Sequence, residues 1–426
     1  MSNVFNLGLS RRGFLRSLGA ASVAATSLPG FAAVQGFGAP RAPRGLSDAD
    51  ISSLSGPMDE MVTISMNENP LGPAPSALNA ILKTAAMGNR YHGEMIQSAV
   101  STAIDMFGLR RGYVGLFPGS TGPMNLALMS HIGPGKPLVH ADPSYEQGPS
   151  VADSVGAPKF AVKLTSTYAH DVKAMVAATP KAGAYYIVNP NNPTGTMTPK
   201  ADIVWLLKNK PAGSVVIIDE AYHDFSNDES CIDLVAADQD IIVTRTFSKI
   251  YGMAGLRAGL VFARPEYFQR FRAIAPYAPS LASVSITAAV AANAALQDQA
   301  LVPLRRKANA DVRSETLEFL AKHGYSVIPG SQANFFMVDV KRPGGEFQSA
   351  MLAENVLIGR TWASLPTCVR VSVGSVSDME KFQSAFVRCM SEQSNAKNGA
   401  ARLHNPALNP SELHWSTSNH GEMMFA

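Results

Sequence analysis

A hydroxyl-flanked lysine and an arginine eight residues further on carry the chemistry of this chain. Lys249 ends the string Thr-Phe-Ser-Lys, in which Thr246 and Ser248 bear hydroxyl groups, and Arg257 follows. A lysine amine forms a Schiff base with an aldehyde, whereas hydroxyl and guanidinium groups bind phosphate. Pyridoxal phosphate has both an aldehyde and a phosphate, so the string favours a site for it. A Ser-Lys pair alone is more often part of a solvated loop, and the upstream residues decide between the two.

An aspartate follows an apolar run upstream of the lysine. Residues 215–218 are Val-Val-Ile-Ile, which predicts a buried parallel strand with Asp219 at its carboxyl end. In open α/β sheets that end faces the ligand crevice. There Asp219 would pair with the pyridinium nitrogen of the coenzyme, and Tyr222 would hydrogen-bond the phenolic oxygen of the ring. The competing interpretation is a helix cap after a buried strand.

A second apolar run ends in the most specific string of the chain. Residues 184–188 are apolar and lead into Asn-Pro-Asn-Asn-Pro-Thr-Gly at 189–195. Asn, Pro and Gly are typical of a turn, but a bare turn does not require this order. Asn192 would reach the same phenolic oxygen as Tyr222.

Two further turns place small and aromatic side chains beside the others. Ser120 and Thr121 follow an apolar run and open a predicted helix, where oriented N–H groups bind phosphate. An ordinary helix cap is the alternative for this pair. Tyr145 follows another short apolar run and would stack on the coenzyme ring, although a lone tyrosine there is more often part of the packing.

Taken together, these strings resemble the class I/II aminotransferases, in particular the branch that contains histidinol-phosphate aminotransferase. The resemblance implies the fold-type I architecture of pyridoxal-phosphate-dependent transferases. That architecture is an α/β fold whose large domain has a mostly parallel seven-stranded sheet, with a smaller α+β domain beside it. The matching strings cover nearly the whole chain after the amino-terminal segment and lie at 67–73, 90–91, 191–195, 219–222, 246–249, 255–259, 332–336 and 369–374.

The resemblance also implies a role for each residue around pyridoxal 5'-phosphate. Lys249 is the Schiff-base lysine, Asp219 pairs with the pyridine nitrogen, and Tyr145 stacks on the ring. Asn192 and Tyr222 hold the phenolic oxygen, so the catalytic set is Lys249, Asp219 and Tyr222. The residues implied around the phosphate are Ser120, Thr121, Thr246, Ser248 and Arg257.

Substrate and partner follow from the same family pattern. Arg370 binds the anionic group of the substrate with Asn334 nearby, and Arg360 matches a second arginine that this branch uses for a substrate phosphate. Tyr91 reaches the phosphate of the neighbouring subunit's coenzyme, which implies a homodimer with shared active sites. The implied reaction moves an amino group from an amino acid or related amine to a 2-oxo acid through Lys249.

Three departures from the family pattern leave the substrate open. The segment between Arg360 and Arg370 is short, Trp362 brings a large ring into it, and His92 stands where proline is usual. Other reactions of the same coenzyme on an amino acid, by a decarboxylase, lyase or cyclase, remain alternatives, because the motifs bind the coenzyme more than they choose the bond that breaks. A non-catalytic coenzyme-binding regulator is the remote alternative, but it would need an appended DNA-binding domain.

The amino terminus predicts a different feature, a twin-arginine export signal. Arg11 and Arg12 precede Gly-Phe-Leu-Arg and an Ala- and Ser-rich run to about Ala33. The run is too short and too weakly apolar for a membrane span, so we expect export of the folded protein to the periplasm by the twin-arginine machinery. A disordered basic extension is the competing interpretation. Export also fits poorly with histidine biosynthesis, whose substrate is cytoplasmic.

Composition bounds the remaining possibilities. The chain has 426 residues, is 46% hydrophobic and has a net charge of +3, which gives no argument for nucleic acid. Three cysteines predict thiols rather than a disulfide framework, and no metal-ligand spacing occurs. The predicted organisation is a signal peptide (1–33), an arm (34–65), a small domain (66–92 and 286–393), a large coenzyme-binding domain (93–285) and a flexible tail (394–426). The tail has three histidines, for which a metal tract is the less favoured interpretation.

Overall fold

The computed structural model describes residues 61–278 and 283–396. The predicted signal peptide, most of the predicted arm and residues 397–426 of the predicted tail lie outside these ranges. In chain order, the strands are β1 (Val62–Ile64), β2 (Val114–Phe117), β3 (Leu138–Asp142), β4 (Lys159–Lys163), β5 (Ala184–Val188), β6 (Val215–Asp219), β7 (Ile241–Thr246), β8 (Gly259–Phe262), β9 (Phe335–Asp339), β10 (Val356–Ile358) and β11 (Cys368–Ser372).

Helices alternate with the strands through most of the chain. The α-helices are α1 (Pro75–Thr84), α2 (Gly93–Phe107), α3 (Thr121–Met129), α4 (Gln147–Ser154), α5 (Val172–Ala178), α6 (Lys200–Asn209), α7 (Ile232–Ala236), α8 (Pro265–Ile274), α9 (Ile286–Gln297), α10 (Leu301–Lys322), α11 (Gly344–Ala353) and α12 (Val376–Ala396). Short 3-10 turns occur at Ala85–Met87, His223–Phe225 and Ala254–Leu256.

A seven-stranded sheet carries the strands whose ends were predicted to form the site. Its order is β2-β8-β7-β6-β5-β3-β4, and β8 alone runs against both of its neighbours. Strands β5, β6 and β7 are buried along their whole length because helices cover both faces. The mostly parallel sheet is confirmed, and its parallel strands bring the carboxyl ends of β3, β5, β6 and β7 to one edge.

A second core surrounds two small sheets, one pairing β1 with β10 and the other pairing β9 with β11. It contains Val62, Phe336, Phe382 and Phe386 as buried residues. Strand β1 lies within the segment predicted as an arm. Its two outer residues are buried against this core, so the strand belongs to the fold.

The core of the large sheet extends across the domain boundaries predicted at residues 92 and 286. Helix α9 packs against both α1 and α2, and Ala77, Ala99 and Ala289 are fully buried in the cluster that also contains Ile218 of β6. Alanine faces permit such close helix packing, so these segments join the large core rather than the small one.

Two further observations concern membrane spans and cysteines. Within the described ranges, no helix is both long and apolar enough to cross a bilayer. Cys231, Cys368 and Cys389 are buried and form no disulfide within the described ranges. Burial raises the pKa of Cys231 and of Cys368, so both thiols stay protonated at neutral pH.

Candidate active site

Asp219 lies at the carboxyl end of β6, where the sheet opens. Its carboxylate accepts hydrogen bonds from the backbone N–H of Ala221 at 3.1 Å and from Thr244 Oγ1 at 3.4 Å. Burial raises the pKa of Asp219 to about 6, and these two bonds and the nearby charge of Lys249 oppose that rise. At neutral pH the carboxyl group is therefore mostly ionised, and it can pair with a cationic ring nitrogen.

Lys249 lies just after β7, and its amine is close to the same carboxylate. Lys249 Nζ donates to the carbonyl oxygen of Met66 at 2.9 Å and lies 5.7 Å from the centroid of the Tyr222 ring. Burial, followed by the charge of Arg370, lowers the pKa of Lys249 to about 8. A substantial neutral fraction is present near pH 7, as a nucleophile or a base requires.

Tyr222 and Asn192 each form a hydrogen bond with a residue of another element. The Tyr222 hydroxyl accepts from Asn67 Nδ2 at 3.0 Å, and its ring meets Phe335 edge-on at 4.9 Å between centroids. Asn192 Oδ1 accepts from Arg370 Nη1 at 2.8 Å. The strand ends of the large sheet are thus joined to β9 and β11 of the small sheets.

Arg370 is a buried cation whose recorded hydrogen bonds go to neutral oxygens. Besides Asn192, it donates from Nη2 to the carbonyl oxygen of Ser65 at 2.6 Å. Its Nε is buried and has no hydrogen-bond partner among the described residues. Burial lowers the pKa of Arg370, because water no longer solvates the charge. An anionic substrate group would satisfy both the spare donor and the charge.

The predicted phosphate residues converge at the start of α3. Arg257 Nη1 donates to Ser248 Oγ at 3.2 Å, and Thr246 Oγ1 donates to the same oxygen at 2.8 Å. A Cβ atom at Gly119 would lie 2.2 Å from Arg257 Nη2, and one at Gly259 would lie 2.8 Å from the Ser120 nitrogen. Both positions need glycine for this close approach.

The end of helix α3 completes the phosphate-binding set. Ser120 is the residue before the helix, and its side chain makes no capping hydrogen bond. Thr121, the first residue of α3, is exposed. Helix N–H groups, hydroxyls and one guanidinium together match the donors that a phosphate monoester takes. With Lys249 and Asp219 at the same strand ends, the residues fit pyridoxal 5'-phosphate.

At the other end of the site stand Tyr145 and a charged pair. Tyr145 is half-buried, and burial raises its pKa to about 12. The guanidinium of Arg360 lies 4.4 Å from the Trp362 ring centroid and donates to the carboxylate of Glu146. The large ring predicted near the substrate end is therefore in contact with the two arginines of that end.

Asn334 contacts the segment that precedes α1. Its Nδ2 donates to the carbonyl oxygens of Asn67 at 3.0 Å and Glu68 at 3.2 Å. Asn67 has a φ of 55°, and its backbone N–H donates to Ser372 Oγ at 2.8 Å. Together with the bonds from Lys249 and Arg370, four consecutive carbonyl groups at 65–68 face donors of the site.

Three residues of this site were missed by the sequence reasoning. Asn67 lay in a string that matched the family, but no role was assigned to it. Thr244 is the register partner of Asp219 on the next strand, which a strand pairing would have indicated. Glu146 follows Tyr145 directly, yet nothing in the sequence connects it with Arg360.

Tyr91 is the one predicted site residue that stands apart. The residue is 78% exposed, and no hydrogen bond joins it to the other site residues in the described part of the chain. Its predicted contact with a second subunit stays a prediction.

Comparisons with known proteins identify the family of the chain. The family model "Aminotransferase class I and II" matches residues 59–386. The chain is 32% identical over 337 residues to the histidinol-phosphate aminotransferase of Moorella thermoacetica, covering 76% of this chain and 84% of that protein. It is 31% identical over 322 residues to the aromatic amino acid aminotransferase of Cutibacterium acnes, covering 74% and 89%.

Solved structures show the same similarity. A protein from Erwinia carotovora atroseptica, provisionally assigned as a histidinol-phosphate aminotransferase, has a TM-score of 0.74 at 29% identity, covering 79% of this chain and 97% of that one. The histidinol-phosphate aminotransferase of Sinorhizobium meliloti, solved with pyridoxal-5'-phosphate, has a TM-score of 0.71 at 23% identity, covering 78% and 92%. The second similarity concerns the fold alone.

Proposed function

The chain belongs to the class I and II aminotransferases, and we propose that it is an exported, dimeric member that binds the substrate carboxylate on Arg370. It is a pyridoxal 5'-phosphate-dependent enzyme that moves an amino group between an amino acid or related amine and a 2-oxo acid. One observation carries this function. Lys249, whose pKa is lowered, and the buried Asp219 lie at the carboxyl ends of neighbouring strands, and the nearby Arg370 has an N–H donor without a partner among the described residues.

The residues divide the work of the reaction. When bound, pyridoxal 5'-phosphate supplies an aldehyde for the substrate amine and a ring that withdraws electrons from the α-carbon. Asp219 would keep the ring nitrogen protonated, and Arg257 with the start of α3 would hold the phosphate. Lys249 Nζ removes the α-proton of the substrate and returns a proton, for which a lowered pKa is suited. Arg370 fixes the carboxylate so that the α-carbon faces Lys249.

A donor screen tests the reaction against its alternatives. Purified protein with coenzyme, a 2-oxo acid and single amino acids is expected to form the amino acid that corresponds to the oxo acid. Carbon dioxide or ammonia without a new amino acid would instead indicate a decarboxylase or a lyase. The relatives named for histidinol phosphate and for aromatic amino acids suggest the first donors to include.

The ionisation of Lys249 gives a measurable pH dependence. Because the charged amine is disfavoured in the site, the neutral fraction rises as pH increases through about 8, not through the value of about 10.4 for free lysine. Competitive acetylation of the coenzyme-free protein, read by mass spectrometry of the Lys249 peptide, should show this midpoint. Arg370→Gln should move the midpoint upward, since it removes a positive neighbour. A midpoint like that of surface lysines would contradict the site's electrostatics.

The proposed homodimer rests on Tyr91, which is large, aromatic and exposed in the single chain. If Tyr91 completes the partner's site, Tyr91→Ala and Lys249→Ala chains are each inactive, but a hybrid dimer has one intact site. Unfolding the two variants together and refolding them should restore about a quarter of the wild-type sites by random pairing. Refolding each variant separately is the control. No gain on mixing would show that Tyr91 acts within its own chain or not at all.

We propose export because Arg11 and Arg12 resemble a twin-arginine signal. A coenzyme that is bound in the cytoplasm can be exported only inside a folded protein, and the twin-arginine machinery exports folded proteins. Replacing both arginines with lysine keeps the charge but removes the guanidinium groups. The variant is expected to remain in the cytoplasm as active precursor, whereas the wild-type protein appears in the periplasmic fraction. Equal amounts of both proteins in that fraction would refute the twin-arginine route.

A further inference from the structure

A salt bridge at the substrate end has no assigned role. Glu146 directly follows the ring-stacking candidate Tyr145, and its carboxylate accepts a hydrogen bond from Arg360 Nη2. Arg360 lies two residues after β10, on the segment that leads to Arg370. The bridge thus links the residue beside the coenzyme ring to the segment between the two arginines.

The same segment is attached to the large sheet at a second point. Ser364 Oγ donates to Asp142 Oδ1 at 3.2 Å, at the carboxyl end of β3. Two bonds, one to residue 142 and one to residue 146, therefore hold residues 360–364 against the strand end that leads to Tyr145. Glu146 and Arg360 are held close to the site by contacts at both ends of this segment.

An indole ring lies close to both arginines of this end. The centroid of the Trp362 ring is 4.4 Å from the Arg360 guanidinium carbon and 5.5 Å from that of Arg370. Trp362 is buried, and its Nε1 has no hydrogen-bond partner among the described residues. The substrate end thus contains a buried aromatic ring, a cation at Arg370 that forms no ion pair among the described residues, and a second cation that Glu146 neutralises.

The two charges of the bridge act on Arg370 in opposite directions. Burial is the main cause of the lowered pKa of Arg370; the charge of Arg360 adds to this lowering, whereas that of Glu146 opposes it. With the bridge closed, the net positive charge seen by a substrate is close to that of Arg370 alone. A substrate with one carboxylate matches this charge, but a substrate with a second anionic group must compete with Glu146 for Arg360.

We propose that Glu146 is a specificity-determining residue that masks Arg360 and thereby selects substrates whose side chains are uncharged, against those with acidic or phosphorylated side chains. The inference rests on the proposed function in that it takes Arg370 as the site of the substrate carboxylate. It adds a residue and a selection rule that the family resemblance does not contain.

Two unreactive acids test the rule by binding alone. 3-Phenylpropionate has one carboxylate and an aromatic end, whereas glutarate has a second carboxylate in place of the ring. Their dissociation constants for the purified holoenzyme are measured by calorimetry, for the wild type, Glu146→Gln, Arg360→Gln and the double variant. Glu354→Gln is the matched control, because Glu354 is a partly exposed carboxylate that pairs at 2.7 Å with Arg388 of α12.

The wild type is expected to bind 3-phenylpropionate more tightly than glutarate. Glu146→Gln should tighten glutarate binding by about tenfold. The corresponding free energy lies between the interaction energies of two unit charges at contact distance in water and near a protein surface. The affinity for 3-phenylpropionate should change by less than about threefold on the same scale. The gain for glutarate should disappear in the double variant, and Glu354→Gln should leave both constants unchanged.

Other results overturn the proposal. Glutarate binding that is unchanged or weaker in Glu146→Gln would show that Glu146 does not mask Arg360. A gain that persists in the double variant, or appears equally in Glu354→Gln, would assign the effect to net charge rather than to the bridge. Failure of the enzyme to transaminate any donor would sink the proposed function but leave this binding comparison intact, so the two outcomes are distinguishable.

Discussion

Replacement of Lys249 by alanine is expected to reduce amino transfer by at least about 10⁴-fold, since both the nucleophile and the proton-transfer group are lost. The variant should still bind coenzyme through the phosphate residues at 120, 121, 246, 248 and 257, which the change does not touch. Borohydride reduction should label the wild-type protein covalently with coenzyme and leave the variant unlabelled. Turnover is measured with the best donor of the screen.

Two controls separate the role of Lys249 from a loss of folding. Lys163→Ala, at an exposed position on the edge strand β4, should keep wild-type turnover and labelling. Small primary amines added to the Lys249→Ala enzyme should restore part of the rate, because they can move the proton from solution. A variant that transaminates at the wild-type rate would remove Lys249 from the mechanism.

Asp219→Asn is expected to lower kcat by about 10²- to 10³-fold, as removal of one preorganised electrostatic partner does in other enzymes. Asparagine has the same shape, but it has no negative charge with which to hold a proton on the ring nitrogen. The substitution acts on the transition state, so KM for the donor should change little. Steady-state kinetics with a single donor checks both values.

Although Asp219→Asn lowers kcat, it should raise the thermal stability of the protein at alkaline pH. In the coenzyme-free protein, burial raises the pKa of Asp219 to about 6 from its ordinary value of 3.8. Its ionised form therefore opposes folding above about pH 6, and that cost fades as pH falls through the folded pKa. The asparagine variant should have a higher Tm than the wild type at pH 8 and lose this advantage near pH 4. A lower Tm at pH 8 would mean that the carboxylate is held by favourable contacts.

Glu220 gives the contrast that makes this test specific. It is the next residue and is equally buried, but its carboxylate pairs with Arg245 at 2.9 Å and accepts from the Cys231 N–H at 2.8 Å. Glu220→Gln breaks a buried ion pair and is expected to destabilise the fold by about 3 kcal/mol. The two adjacent carboxylates thus differ in function. Glu220 is paired with a cation within the fold, whereas Asp219 can pair with a cationic group of a ligand.

The large domain could be predicted from local patterns. The runs at 184–188 and 215–218 are apolar throughout, which indicates strands buried on both faces, and each is followed by polar residues in turn-forming strings. Parallel strands share the edge at which they end, so the residues after them must meet. This geometric rule places Asn192, Asp219 and the residues after Thr246 in one crevice without knowledge of the helices.

The limits of the domains and the substrate end could not be predicted in this way. Helices α1 and α9 are some two hundred residues apart in the chain, and only packing shows that their alanine faces join the core of the large sheet. The bridge of Glu146 to Arg360 likewise joins residues 214 positions apart. Their pairing depends on how the small sheets pack against the large one, and local sequence patterns do not predict this packing.

The sequence alone determined which coenzyme chemistry to expect, because Asn192 and Asp219 each follow a strand that an apolar run defines. Tertiary structure decided what the remaining charges do. Whether a cation is paired with a carboxylate, as the exposed Arg360 is, or keeps a spare donor, as the buried Arg370 does, depends on distances of a few ångströms between distant segments. Electrostatic energy varies steeply over such distances, and sequence spacing does not report them.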